Sequence, residues 1–401
     1  MYLSSLSFIL IYTFLLLYHP PILPFNIIHI LCVIAMVYLI LNRKDGMLKL
    51  SDNYQLFMKY NVLFLLFSSV LNLMRGNLIN IYIVFLYVVE VQICAIFLVK
   101  WAKKWKVNIL QIGIYCGVLQ SIISLMEFLF PTLQQKIIDI YVLNGFPAET
   151  TWFIGKRFFG FSGQLTFTMP VLQVVFAIIV LEKLFNKESN KKLLSILEFV
   201  LLVFSALINA RISIIILAVG VVYLLIKYHK KITVKDYLIF ALVTVSISLV
   251  ILLISSKTFY WIYEGIKEII LMLFGKSDNG YFSTLFHEFL FFPKDIIGFL
   301  FGHGISVFNV MVDGMRSDVG YIIDIWMYGL VGLFLKYSGF VLGLIKGKQT
   351  DMFAIYLLVI AILCNIKGPV FENNELVVFI SIYLCAKFTQ KRECEVNEKN
   401  D

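Results

Sequence analysis

Two arginines lie beside long apolar runs in contexts that suit phosphate binding. Arg157 is followed at intervals of three residues by Gly160 and Gly163, and Arg211 lies in the only polar break between two apolar runs. A guanidinium can donate two parallel hydrogen bonds to a phosphate, and glycines can present backbone N–H groups to the same anion. The pattern predicts an anion site at the mouth of the spans. A basic anchor at the membrane interface would give the same pattern, so both interpretations stay open at this point.

A second group of polar residues has proton-transfer chemistry. His303 lies between two glycines, which allow close backbone approach, and an imidazole can act as a base or a donor near neutral pH. Asp318 and Tyr321 share one helix face, while Asp324 is a turn deeper and points elsewhere. We take His303, Asp318 and the neighbouring Arg316 as candidate catalytic residues. A solvated loop histidine and a first-turn acid favoured by the helix dipole are the simpler interpretations of His303 and Asp318.

Ionisable residues inside apolar runs are costly in a membrane and indicate function by default. Glu127 lies near the outer end of its run, so we treat it as a candidate substrate-binding residue. Lys59 and Lys336 lie near the inner ends of theirs, where a long side chain can extend to the membrane surface. The sequence has no HExxH, no HxH and no carboxylate cluster of metal-ligand type. We therefore predict no metal.

The composition places these residues in a membrane. Of the 401 residues, 60% are hydrophobic and 15% are charged, whereas soluble domains are ~45–50% apolar and ~25% charged. Apolar runs of about 17 to 22 residues recur along the chain, which is the length that a helix needs to cross a hydrocarbon layer of about 30 Å. We predict an all-α polytopic integral membrane protein. A soluble enzyme, a nucleic-acid-binding protein and a disordered scaffold are excluded.

We expect about twelve transmembrane helices in a single membrane domain that covers residues 1–401. They lie at about residues 2–18, 25–41, 56–74, 78–99, 109–130, 166–185, 194–210, 212–228, 237–255, 318–345, 352–366 and 375–388. Lysines and arginines concentrate in alternate short connections and in the tail 389–401, which places both termini in the cytoplasm. The first run has no basic start and no small-residue cleavage site, so we interpret it as a span and not as a signal peptide.

Two long connections fall on the extracytoplasmic side, at about residues 131–165 and 256–317. Long loops are usually functional, so we expect chemistry or recognition on this face. In the second loop, Phe259–Phe274 is apolar except for polar residues repeating at i, i+3 and i+4, which is typical of a helix lying in the membrane interface. A loop that only caps the bundle is the alternative.

The order of these motifs resembles the superfamily of O-antigen and capsular polysaccharide polymerases (Wzy type) and O-antigen ligases. The run Gly298-x-x-x-Gly302-x-Gly304 is followed by Ser317-Asp318-x-Gly320-Tyr321 and by Gly329-Leu330-Val331-Gly332. Upstream, Arg157-x-x-Gly160-x-x-Gly163 and Asn209-Ala210-Arg211-Ile212-Ser213 look like the two arginine elements of this superfamily. The resemblance covers about residues 150–345, together with twelve spans and one large extracytoplasmic loop.

The resemblance implies a glycosyltransferase of the bacterial cytoplasmic (inner) membrane whose active face is extracytoplasmic. Such proteins join oligosaccharide repeat units carried on undecaprenyl pyrophosphate into O-antigen or capsule, without a metal or other cofactor. Arg157 and Arg211 would hold the donor pyrophosphate, and Glu127, Tyr321 and Asp324 would contact substrate. A group at the end of the large loop would accept the proton of the acceptor hydroxyl. The implied partners are the lipid-linked oligosaccharide, the bilayer, a chain-length regulator and a flippase, with no nucleic acid.

One departure separates the polymerases from the ligases. Ligases carry a histidine directly before the span that follows the large loop, where this chain has Ser317 and Asp318, and His303 lies about fifteen residues earlier. This favours a polymerase and leaves the base open among Asp318, His303 and no group at all. Ligase-type transfer, a lipid-linked oligosaccharide flippase and a secondary transporter remain alternatives. A transporter of the major-facilitator type should show two related six-span halves, and a flippase needs no loop of this length.

Overall fold

The computed structural model describes residues 2–43, 50–146, 151, 153–164, 167–186, 191–229, single positions between 260 and 274, 288–308, 310–345, 351–372 and 374–397. Throughout these ranges the regular structure is helical, apart from one β-bridge between Val312 and Met315. The helices are α1 (Tyr2–Tyr18), α2 (Ile27–Leu41), α3 (Asp52–Met74), α4 (Leu78–Phe85), α5 (Val91–Lys104), α6 (Ile109–Leu129), α7 (Pro131–Leu143), α8 (Thr168–Phe185), α9 (Lys192–Asn209), α10 (Ile212–Tyr228), α11 (Ile296–Phe301), α12 (Gly320–Ile345), α13 (Met352–Cys364) and α14 (Glu375–Asn397). The predicted all-α class is confirmed.

Six helices in the described part of the chain are long and apolar enough to cross a membrane. They are Asp52–Met74, Leu78–Lys104, Ile109–Leu129, Thr168–Phe185, Lys192–Asn209 and Gly320–Ile345, and α1, α2, α10 and α13 are shorter apolar helices. The span Leu78–Lys104 consists of α4 and α5, which a π-helical segment at Leu86–Glu90 joins into one continuous helix. Eleven of the twelve predicted spans coincide with a helix to within several residues, and the ninth, at about 237–255, lies outside the described residues. The helices support a multi-pass membrane protein.

The two long connections contain helices of their own. The first begins with α7, whose buried residues Gln134, Ile137, Ile138 and Tyr141 repeat with helical spacing; this helix was not predicted. In the predicted interfacial helix Phe259–Phe274, the positions that the structure describes are helical up to residue 271, and Phe274 lies in a turn. The other positions of this segment lie outside the described residues.

The helices group into two compact units. The first comprises Met1–Ile27 and Val107–Lys276, and the second comprises Ile28–Lys106 and Ser277–Asp401. A single membrane domain was the sequence expectation, because neither a soluble segment nor a linker interrupts the spans. Each unit is built from segments that are distant in the sequence.

In the first unit, α8 is the central helix. Its residues from Thr168 to Leu181 are all buried, as expected for a helix that is apolar on every face. Gly113 and Gly117 of α6 face Phe176 of α8, and a Cβ atom on Gly117 would lie only 2.5 Å from the ring. Small residues therefore let these helices pack closely, as is common between helices in membranes.

In the second unit, α3 packs along α12 through a similar small-residue face. Gly339 and Gly343 have the four-residue spacing that favours close helix contact. A Cβ atom on Gly339 would lie 3.3 Å from Cβ of Tyr60, and one on Gly343 would lie 3.0 Å from Cβ of Phe57. The ring of Phe57 packs edge-on against Phe340 at a centroid distance of 5.2 Å.

Helix α12 is broken at Gly329, whose φ of 67° and ψ of −176° are not helical. Only glycine adopts this conformation without strain. A Cβ atom on Gly329 would collide with the Leu300 carbonyl, and one on Gly302 would lie 2.6 Å from the carbonyl carbon of Met327. The two glycines thus let the end of α11 pass directly against the break. The expectation of one uninterrupted helix at about 318–345 is wrong.

Candidate active site

The loop that carries Arg157 is fixed by polar side chains from three helices of the first unit. Four side chains donate hydrogen bonds to carbonyl oxygens of this loop. They are Gln120 (Nε2 to Phe159 O, 2.5 Å), Gln134 (Nε2 to Arg157 O, 2.5 Å), Tyr141 (OH to Gly160 O, 3.0 Å) and Asn209 (Nδ2 to Phe158 O, 2.8 Å). All four side chains are nearly fully buried. Because buried backbone groups need partners, these bonds determine the path of the loop and the position of Arg157.

Asn209 connects this loop to the second arginine. Its Oδ1 accepts the Phe158 N–H at 2.5 Å, and its Nδ2 donates to Phe158 O at 2.8 Å. Asn209 is the last residue of α9, and Arg211 lies two residues further on, directly before α10. The paired hydrogen bonds therefore tie the turn that bears Arg211 to the segment that bears Arg157.

The two arginines are close enough to interact electrostatically. Burial lowers the pKa of the Arg157 guanidinium, and the positive charge of Arg211 lowers this pKa further. The Arg157 guanidinium lies over the Phe153 ring, 5.4 Å from its centroid, and no carboxylate among the described residues pairs with it. Two like charges in a partly buried site repel each other, and a bound anion would remove that repulsion.

Glu127 lies at the same site. Its side chain is 2% exposed, and its Oε2 accepts the Gly160 N–H at 2.8 Å. Glu127, Gln134, Tyr141 and Arg157 line a cavity of about 10 Å³, which has room for about one water molecule. An anion as large as pyrophosphate would contact the arginines from outside this cavity. A direct contact between Glu127 and substrate stays a prediction.

The glycines that follow Arg157 serve the loop itself. Gly160 has a φ of 57°, and its N–H is bonded to Glu127. The N–H of Gly163 donates to Tyr18 O at 2.7 Å, and a Cβ atom there would collide with the His19 carbonyl. The expectation that these two N–H groups face a phosphate is wrong, because both are bonded within the protein.

In the second unit, His303 is paired with Asp295. His303 Nε2 lies 2.9 Å from Asp295 Oδ2, and the histidine side chain is 35% exposed. Asp295 also caps α11, since its Oδ1 accepts the Gly298 N–H at 2.5 Å. That bond and the neighbouring His303 lower the pKa of the Asp295 carboxyl. The imidazole packs against Trp326 at a centroid distance of 5.3 Å.

The glycine-rich run around His303 satisfies the backbone groups that the break in α12 exposes. The N–H of His303 donates to Trp326 O at 2.6 Å, and the N–H of the next residue reaches Met327 O at 3.2 Å. Arg75, one residue beyond α3, donates to Gly302 O at 2.5 Å and to Met327 O at 3.4 Å. A break in a membrane helix needs such partners, so this run has a structural role whatever its chemistry.

Asp324 and Lys336 form a buried ion pair. Their Oδ1 and Nζ atoms are 2.6 Å apart, and the two side chains are 0% and 1% exposed. Tyr337 donates to the other carboxylate oxygen at 2.5 Å, and Glu372 lies 3.9 Å from Lys336. Twelve residues of straight helix span about 18 Å, so the pair can form only because α12 is broken. The expectation that Lys336 extends to the membrane surface is wrong.

The remaining predicted residues lie near the start of α12. Arg316 is exposed and Asp318 is half-buried. Burial raises the pKa of Asp318, while the positive charges of Arg316 and Lys367 oppose that shift. The Tyr321 hydroxyl donates to Ile362 O at 2.9 Å, so it is bonded within the protein.

The predicted site residues thus form two sets. Glu127, Arg157 and Arg211 come together in the first unit, and His303, Arg316, Asp318, Tyr321 and Asp324 lie in the second unit. Sequence reasoning overlooked Arg75, Gln120, Gln134, Tyr141 and Asp295. Gln120 carried a signal, because it lies inside an apolar run. The sequence also indicates a role for Asp295 as a helix cap, because it directly precedes an apolar run.

Among the described residues, no group of three or more His, Cys, Asp or Glu side chains could hold a metal ion. Independence from metals stays a prediction, and activity in a chelator would test it. No family model, curated protein sequence or solved structure matches the chain. The assignment of function therefore rests on the residues and their geometry.

Proposed function

We propose that the protein is a repeat-unit polymerase. It would join oligosaccharides carried on undecaprenyl pyrophosphate into surface polysaccharide at the outer face of the bacterial cytoplasmic membrane. The observation that carries this proposal is that the two hydrogen bonds between Asn209 and Phe158 tie together the segments that bear Arg157 and Arg211, whose charges influence each other. The motif order described above, from the first arginine element to the start of α12, supports the same function.

The chemistry needs a site for a leaving pyrophosphate. The acceptor hydroxyl oxygen attacks the anomeric carbon of the donor chain, and the bond from that carbon to the pyrophosphate oxygen breaks. The electron pair stays on the pyrophosphate, where two guanidiniums can stabilise the developing charge through bidentate hydrogen bonds. A base accepts the hydroxyl proton. Of the two candidate bases in the second unit, His303 fits this role better than Asp318, because a carboxylate orients its ring and the ring is 35% exposed.

The arginine pair is tested with substitutions that separate charge from geometry. Arg211→Lys keeps the charge and loses the planar fork, so we expect it to fail almost as badly as Arg211→Ala. Loss of a bidentate contact formed in the transition state costs ~3–4 kcal/mol, or about a few hundredfold in rate. Purified variants in vesicles, supplied with lipid-linked repeat units, report chain elongation on a gel. The exposed Arg43, changed to Lys, is the matched control and should retain activity.

The same variants have a signature in cells. Cells with either Arg211 variant should carry single repeat units on lipid and no long chains, while the protein stays in the membrane. Chains of normal length from Arg211→Ala would reduce this residue to a topological anchor and remove the support for a pyrophosphate site.

A flippase or secondary transporter is the second candidate, and the break in α12 favours it. Discontinuous helices and buried charges are common at the substrate sites of transporters, and the chain has both at Gly329 and at the Asp324–Lys336 pair. The location of the accumulated glycolipid distinguishes the two. Without a polymerase, single repeat units reach the outer leaflet and become accessible to an externally added glycosidase. Without a flippase, they stay protected on the inner side.

A further inference from the structure

We propose that Asp295 is a positioning residue: it holds the proton of His303 on Nε2, so that Nδ1 is free to accept the proton of the acceptor sugar hydroxyl. This inference rests on the proposed polymerase function and names a residue that the function requires. The reasoning depends on where the two nitrogen atoms of one imidazole point.

The contacts of His303 make its two nitrogen atoms different. Nε2 lies 2.9 Å from Asp295 Oδ2, so a neutral ring keeps its proton on Nε2 and donates it to the carboxylate. Nδ1 makes no hydrogen bond to any residue that the structure describes. A lone pair on a partly exposed ring nitrogen can accept a proton from a hydroxyl group, whereas an N–H cannot.

Both partners of this pair are held by backbone contacts. Asp295 is fixed through its other carboxylate oxygen, which caps α11 by accepting the Gly298 N–H. His303 is fixed through its own N–H, which donates to Trp326 O at 2.6 Å beside the break in α12. Gly298 is also necessary, because a Cβ atom there would collide with the imidazole. The geometry is therefore set before any substrate binds, which is what orientation of a catalytic base requires.

Few other charges surround the imidazole in the described structure. Arg75 lies next to Gly304, where a Cβ atom would be 2.8 Å from its Cδ atom, and its guanidinium is bonded to backbone carbonyls. Lys294 pairs with Asp313 at 3.2 Å, and both side chains are exposed. Trp326, on the packed face of α12, is uncharged. Asp295 is thus the charged group in direct contact with the ring.

The proton balance is complete with these groups. The acceptor O–H bond breaks as the new glycosidic C–O bond forms, and the proton moves to Nδ1 of His303. The imidazolium so formed is stabilised by the Asp295 carboxylate, which does not itself take the proton. The imidazolium then releases its proton to water.

Three variants test the tautomer directly. His303→Gln can still donate to Asp295 but cannot accept the proton, so we expect elongation to fall at least about a hundredfold. Asp295→Asn keeps the cap of α11, and its amide nitrogen then faces Nε2, which forces the ring proton onto Nδ1. Asp295→Ser also keeps a helix cap and leaves the ring free to choose its tautomer. We therefore expect Asp295→Asn to be at least about tenfold slower than Asp295→Ser, although asparagine is the closer mimic.

A merely structural role for Asp295 predicts the opposite order, with serine worse than asparagine, and that order would overturn the proposal. Nitrogen NMR of labelled histidine in the purified protein gives a readout that does not depend on turnover. The Nδ1 atom of His303 should be unprotonated in the wild type and protonated in Asp295→Asn, and identical spectra would overturn the proposal. His229→Gln, an exposed histidine in α10's C-terminal turn, is the control and should elongate normally.

The same assay separates this inference from the proposed function. A wild-type protein that elongates chains, together with an Asp295→Asn variant of equal rate, refutes only the role of Asp295. A folded wild-type protein that makes no polymer from lipid-linked repeat units refutes the polymerase proposal and this inference with it.

Discussion

Removing one partner of the buried Asp324–Lys336 pair should destabilise the protein strongly. Lys336 Nζ lies 2.6 Å from Asp324 Oδ1, and both side chains are fully buried. Lys336→Met therefore leaves the Asp324 carboxylate buried without its counter-charge. Such changes cost ~3–5 kcal/mol. Methionine has nearly the length of lysine, so little of this loss comes from a cavity. Lys59→Met makes the same substitution at an exposed position of α3, and it should change stability by less than about 0.5 kcal/mol.

The double variant Asp324→Asn, Lys336→Met identifies the cause. Asparagine can still accept the Tyr337 hydroxyl, and neither partner of the fully buried pair keeps a charge; Glu372, 3.9 Å from Lys336, is partly exposed. Most of the lost stability should therefore return. The measurement is a double-mutant cycle. The fraction of protein that stays monodisperse in detergent after heating is compared among the wild type, Lys336→Met, Asp324→Asn and the double variant. A double variant as unstable as Lys336→Met, or a Lys336→Met variant as stable as Lys59→Met, would refute the importance of the ion pair.

Two further predictions follow from polar groups at the ends of helices. Burial lowers the pKa of His19 from 6.5 to about 4, so the folded state disfavours the protonated ring; stability should be complete above about pH 6.5 and should fall by up to about 3 kcal/mol as the pH drops to 4. His19→Gln should flatten this pH dependence of the thermal midpoint, and an unchanged slope would exclude His19 as its source. The planar guanidinium of Arg75 donates to both Gly302 O and Met327 O, and a lysine ammonium lacks this geometry. We therefore expect Arg75→Lys to lower the free energy of unfolding by about 2 kcal/mol and to reduce the amount of folded protein. Unaltered thermal stability would show that other groups suffice to hold the break in α12.

Most of the helices follow from the sequence because a bilayer limits the length of an apolar run. The exceptions depend on contacts that the local pattern does not contain. α7 is a short amphipathic helix inside a predicted loop, although Pro131 at its first position is a recognisable start signal. At the break near Gly329, Arg75 donates a hydrogen bond to Met327 O, and these two residues are 252 positions apart in the sequence. Glycine is common inside membrane helices, so its presence alone does not predict a break.

The site was predictable in its parts and not in its arrangement. Arg157 and Arg211 were each recognisable from their neighbours, but their proximity depends on the hydrogen bonds of Asn209 to a residue 51 positions away. A straight α12 predicts that Lys336 extends to the membrane surface, and only the break at Gly329 brings it to Asp324. Asp295 shows the same limit, since its capping position could be recognised but its contact with His303 could not.

The break in α12 also affects how the protein is made. Insertion into the membrane depends on length and hydropathy, and by both measures Gly320–Ile345 passes for one continuous span. Arg75 enters the membrane long before its acceptor at Met327 is synthesised, so the break closes only after most of the chain has been inserted. We expect that, until then, a straight α12 would keep Asp324 and Lys336 about 18 Å apart, each without its partner in the lipid. Unpaired charges in the lipid are costly, so substitutions at Arg75 or Gly329 should reduce the cellular abundance of the protein before they alter its chemistry.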